Sequence, residues 1–271
     1  MPKKVVAAPA QRKNDVVPPS GTRIVEIDRK KSGALSSPVV ICGFVGPGLA
    51  GLTAVGYVVD HLGLHEIAHV MSRHIPPSVV FIGGKIRHPF RVYRDDSGKL
   101  AVVICEVPID HSGLYDVSST LLSWLEKSSP REIVVLDGVP IRELPEERPT
   151  FYVAGEARQA ELKSLGFVPA ESVLIAGTAG SILSECLDRG VACIALLSQV
   201  SVTLIDPGAP LTLIRALNSA YKLNVTTKEL EEDVATIHEE LNAIAKQYEK
   251  VQEQAVVPQP AEGGVPKNMY G

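Results

Sequence analysis

The sequence predicts a three-layer α/β/α fold on a mostly parallel mixed sheet, followed by a long C-terminal helix. Three observations carry that expectation. Strand-like and helix-like segments alternate through most of residues 38–197, the pattern of a sheet covered on both faces. Residues 38–44 (PVVICGF) and 131–137 (REIVVLD) are continuous apolar, β-branched runs, as strands buried on both faces require. Residues 89–93 and 100–106 flank Asp95-Asp96-Ser97-Gly98, a hairpin turn that brings antiparallel pairing into the sheet.

Taken in order, residues 1–21 are Pro-broken, cationic and poor in apolar side chains, and are expected to be disordered. A core domain spans 22–225. It opens with a strand at 22–28, then the buried strand 38–44 and a helix over 49–62 that Gly63 ends. A strand at 66–72 stops before Pro76-Pro77, and Gly83-Gly84-Lys85 reads as a loop. After the hairpin come a helix at 114–127 and the strand 131–137. Strand 150–154 and helix 156–165 follow, then strand 172–176, helix 181–189 and strand 192–197. Asp206-Pro207-Gly208 turns into a helix beginning near Pro210.

Residues 226–254 carry the most regular pattern. Leu230, Val234, Ile237, Leu241, Ile244, Tyr248 and Val251 are spaced 4-3-4-3-4-3, a heptad seam. Thr226 with Glu229 makes a capping box, acids crowd the first turns, and Lys246 and Lys250 lie near the end, as the helix dipole favours. Such a helix is roughly 40 Å long. Two apolar positions per heptad are narrower than a helix lying on a sheet needs, so the seam is read as an oligomerisation element. Packing along its own domain remains the other reading. From 255 to 271 the composition turns to Pro, Gly, Gln and Val, a flexible tether with a root-mean-square reach of roughly 20–25 Å.

A net charge of −4 gives no basic field for nucleic acid. No stretch of about 20 residues reads as a membrane span, and the first residues lack the apolar core of a signal peptide. Four cysteines in 271 residues are too sparse for a disulfide scaffold, and reduced core thiols in a cytoplasmic protein are expected. A disulfide stays open for a chain from a hyperthermophile, toward which the low Asn and Gln content leans.

Four motifs carry candidate chemistry. Gly46-Pro47-Gly48-Leu49-Ala50-Gly51 fits G-x-G-x-x-G between a strand and a helix, which makes Gly46, Gly48 and Gly51 a candidate ligand loop for a nucleotide or nucleoside. Pro47 removes a backbone donor, and no carboxylate follows the next strand to hold a ribose. A tight turn that lets helix and sheet pack closely is the plainer reading. His65-Glu66-Ile67-Ala68-His69 spells H-E-x-x-H, but zinc needs both imidazoles one helical turn apart. On a strand they would share a face about 13 Å apart. No metal and no cofactor is expected. Asp110, His111 and Ser112 are triad letters adjacent in sequence, an arrangement that seldom converges. Met269-Tyr270-Gly271 is a hydrophobic residue, a Tyr and a last residue that would carry the carboxylate: a docking plug with a ring, a hydroxyl and a charge for a Lys.

The set of blocks from 38 to about 233 resembles the proteasome assembly chaperone family, in its archaeal members. The residues that carry it are Ile41 to Gly51, Glu66-Ile67-Ala68, Pro76-Pro77, Gly83-Gly84, Glu106-Val107-Pro108, Trp124, Glu132 to Gly138, and Asp206-Pro207-Gly208-Ala209-Pro210. The resemblance implies a phosphorylase- or hydrolase-like α/β/α fold without a catalytic site, homo-oligomers, and binding to proteasome α subunits in the core particle. It also implies that Met269, Tyr270 and Gly271 form a C-terminal hydrophobic-Tyr-X plug. One departure is Leu196-Leu197-Ser198-Gln199, where many relatives place Glu at the last position.

Overall fold

The apolar run near residue 40 becomes the middle strand of a large sheet because both of its faces are covered. The computed structural model describes residues 21–27, 34–145, 147–201, 207–228 and 230–232. Along the chain the elements are β1 (Thr22–Glu26), β2 (Val39–Phe44), α1 (Ala50–His61), β3 (His65–Ser72), β4 (Val80–Ile82), β5 (Lys85–Arg87), β6 (Phe90–Arg94) and β7 (Leu100–Cys105). Then come α2 (Leu114–Leu125), β8 (Glu132–Ile141), β9 (Phe151–Ala154), α3 (Glu156–Ser164), β10 (Val168–Pro169), α4 (Gly177–Arg189), β11 (Cys193–Ser201) and α5 (Gly208–Tyr221).

Nine strands form one mixed sheet in the order β1-β3-β6-β7-β2-β8-β11-β9-β10. Its centre, β7-β2-β8-β11, is parallel, and antiparallel strands flank it on both sides. β2 and β7 are buried along their whole length. Alternate residues on β2 serve opposite layers. Val40, Cys42 and Phe44 join Val117, Leu121 and Leu122 of α2 and Ile182 of α4 in one core. Gly43 faces α1 on the other side, which packs on β2, β7 and β8 and against α5. The predicted α/β/α layering is therefore the observed one. No helix among the described residues is long and apolar enough to cross a membrane.

Several expectations meet a different outcome. Residues 172–176 form no strand, because β9 already pairs with β11 and no open ladder is left for them. The two-residue β10 pairs beyond β9 instead. β8 and β11 run past their expected ends and stay paired as far as Ile141 and Ser201. Pro140 lies beyond the last β2–β8 pair, Gly43 with Leu136, where β8 no longer has β2 beside it, the kind of margin at which a strand tolerates proline. Gly83-Gly84 is a tight hairpin turn, both residues left-handed, joining β4 and β5 into a separate ribbon. Residues 228 and 230–232 are helical. The rest of the heptad seam, from Val234 to Val251, lies outside the described residues, as do residues 1–20 and the tail with Met269, Tyr270 and Gly271.

Candidate functional site

The glycine loop closes on the carboxyl end of the central strands. Gly48 and Leu49 both adopt left-handed backbone, at φ 60° and 51°, which folds Pro47–Leu49 into a single 3-10 turn before α1. A Cβ on Gly51 would run into the Leu136 carbonyl, and one on Gly48 would stand 2.8 Å from Val200 Cβ. One on Gly46 would stand 2.5 Å from Asp137 Oδ1. All three glycines therefore let loop and helix lie against β8 and β11. A phosphate laid on this loop would also meet the Asp137 carboxylate, which repels it.

Asp137 is the chemically distinctive group here. It lies near the end of the buried part of β8 and is 8% exposed. Its Oδ1 accepts the Gly138 N–H at 2.9 Å, and no other partner meets the carboxylate among the described residues. Burial pushes its pKa up from 3.8 to about 6, with the Gly138 hydrogen bond opposing the shift. The carboxylate borders a cavity of about 200 Å³ walled by Phe44, Pro47, Val139, Leu174 and Ala179. A second cleft, of about 440 Å³, shares Val139, Val173 and Leu197 with it and extends to Phe151, Glu171 and Gln199.

The other motifs are held apart. β3 carries a bulge between Glu66 and Ala68, so one extra residue sits opposite β6. His65 pairs with Arg94, while His69 pairs with Arg91. Because Arg94 and Arg91 lie on opposite faces of β6, the two imidazoles do as well, contrary to the shared face expected of a regular strand. His65 Nε2 lies 3.1 Å from Asp96 Oδ1, and the His69 ring stacks on His88 at 3.8 Å. Among the described residues no group of three His, Cys, Asp or Glu side chains could hold an ion. Ser112 donates its hydroxyl to Asp110 Oδ1 at 2.6 Å and lies 3.5 Å from His74 Nδ1. Its proton is thus directed to the carboxylate that caps the turn, not to an imidazole base. All four cysteines are free, and burial pushes the Cys105 thiol up to about 12.

The PAC2 family model matches residues 40–245. The chain belongs to the PAC2 family. No curated protein matches it. Among solved structures, a Thermoplasma acidophilum protein of unknown function is 44% identical, with a TM-score of 0.69 over 81% of this chain and 90% of that one. Pyrococcus furiosus PbaA, described as an archaeal homolog of proteasome-assembly chaperone, is 22% identical with a TM-score of 0.75, covering 86% and 95% of the two chains. Pyrococcus furiosus PbaB, described as an archaeal proteasome activator, is 22% identical with a TM-score of 0.72, covering 83% and 99%. At that identity the likeness to PbaA and PbaB is one of fold.

Within this PAC2 domain, sequence reasoning placed the glycines at the mouth of the sheet but passed over Asp137. The available signal was a lone acid closing the apolar run Ile133-Val134-Val135-Leu136 and followed by Gly138. It read an apolar strand after Pro76-Pro77 but not its pairing with β5, nor that Phe81 and Ile86 on this ribbon are each 72% exposed.

Proposed function

We propose that this PAC2 protein binds the proteasome core particle and acts as an assembly chaperone or activator, not as an enzyme. Membership of the PAC2 family over residues 40–245 carries this reading. The fold shared with PbaA and PbaB, described as a proteasome-assembly chaperone homolog and a proteasome activator, supports it. In the finer reading, copies of the chain associate through the seam of Leu230, Val234, Ile237, Leu241, Ile244, Tyr248 and Val251. Each copy then presents Met269-Tyr270-Gly271 to pockets on the α subunits. Several weak plugs on one assembly bind together through effective concentration, so modest contacts at each suffice.

The test is a pull-down of purified proteasome α subunits with three forms: the intact chain, a chain lacking residues 269–271, and Tyr270→Ala. Capture by the intact chain and its loss in the other two, at unchanged assembly mass, is the expected result. Equal capture by all three would remove the tail from the mechanism. No capture by any form would remove the α subunits as partner.

A further inference from the structure

The cavity at Asp137 lies where the topology of an α/β sheet places ligands. β2 leads through α1 toward β3 on one side of the sheet, while β8 leads toward β9 and β11 on the other. The crevice beyond their carboxyl ends is a topological switch point. Phe44 at the end of β2, Pro47 just after it, and Asp137 and Val139 of β8 form its walls. A carboxylate placed there at 8% exposure, with one oxygen held by its own Gly138 N–H and the other without a partner among the described residues, is costly to the fold. Nothing in the core needs it, since apolar neighbours surround it. Among the described residues the inner wall holds no other titratable side chain, and the outer cleft adds one more acid, Glu171. The rim is apolar and open: Leu174 is 90% exposed and Val45 37%.

The geometry points to a small-molecule site between β2 and β8 that takes a compact apolar body bearing a protonated primary amine. The ammonium sits against the free oxygen of Asp137, and the body fills the cavity under Leu174 and Val139. An anion is refused by the carboxylate, and a neutral ligand leaves that oxygen unpaired. This site is independent of proteasome binding, so either can fail alone.

Benzylamine is the probe, with benzyl alcohol and benzoate as neutral and anionic controls of the same size. Amide spectra of the ¹⁵N-labelled full chain at about pH 7.5 are followed during titration. Benzylamine should shift Gly46, Gly138 and Ala176 saturably, benzyl alcohol should bind about tenfold more weakly, and benzoate not at all. Asp137→Asn should lower benzylamine affinity about tenfold, as should lowering the pH to about 5, where Asp137 is protonated. Val139→Phe fills the cavity without touching the carboxylate and should also abolish binding. It keeps the question answerable if the Asn variant does not fold. Unchanged benzylamine binding in either variant would overturn the assignment. So would equal binding of benzoate, or shifts confined to the outer cleft near Glu171.

Discussion

Gly46, Gly48 and Gly51 share one loop, yet a methyl group at each meets a different obstacle. At Gly51 the obstacle is the Leu136 carbonyl, part of a paired strand that cannot give way. Gly51→Ala is expected to destabilise the fold by about 3 kcal/mol, read from the urea midpoint. At Gly46 the obstacle is the end of the Asp137 side chain, which can rotate, so Gly46→Ala should cost no more than about 1 kcal/mol. Asp137 itself makes stability depend on pH. Its folded pKa is raised to about 6, above the ordinary 3.8, so the folded state holds the extra proton between those values. The penalty is therefore fully present above about pH 6 and absent below about pH 4. At about 1.4 kcal/mol per pH unit it amounts to about 3 kcal/mol. Asp137→Asn should raise stability at pH 8 by roughly 2–3 kcal/mol, with the gain shrinking steadily as denaturation is repeated toward pH 4. An equal gain at every pH would mean that Asp137 titrates normally.

Elements buried on both faces were the legible ones. The runs at 39–44 and 132–137 could sit nowhere but the middle of a sheet, and the Asp95–Gly98 turn fixed the hairpin of β6 and β7. What escaped the sequence depends on neighbours. Residues 172–176 have strand-like composition but lose their ladder to β9, and the β3 bulge reverses the parity of His65 and His69 without any local signal. The buried Arg91 on β6 is of the same kind. It is 1% exposed and is met by Glu106 at 2.6 Å and by the Tyr93 hydroxyl at 2.7 Å. Glu106→Ala leaves that guanidinium without its counter-charge and should cost about 3 kcal/mol, whereas Glu106→Gln should cost less because it still accepts a hydrogen bond. The β4–β5 ribbon makes the opposite case. Phe81→Ser and Ile86→Ser remove side chains that are already in water, so the urea midpoint should move by no more than about 0.5 kcal/mol in stability.

For the molecule as a whole, family and fold agree, while the finer functional reading rests on the heptad seam and on the last three residues, both largely beyond the described residues. That separation has a measurable consequence. If the heptad seam joins copies, Ile237→Asp with Leu241→Asp should lower the mass seen by light scattering and leave the core's unfolding midpoint in place. It should also weaken capture of α subunits by about tenfold or more, because a single plug no longer acts with its fellows. A dispersed protein that captured α subunits as well as before would separate assembly from binding. The candidate site was legible only in outline from sequence. G-x-G-x-x-G located the mouth of the sheet, but three-dimensional proximity was needed to show that a carboxylate from a strand more than 80 residues later stands against it.

The two margins of the sheet are also unequal. One ends in Val168-Pro169, a pair of residues of which the second has no N–H to give. An extended peptide arriving from outside finds no usable template there. The other ends in the five residues of β1, with Trp124 Nε1 clasping Glu26 at 2.8 Å beside it. Of this sheet's two margins, then, β1 alone has the length of a strand, so a foreign segment adding to the sheet, whether for recognition or in aggregation, is matched in length at β1 and not at β10.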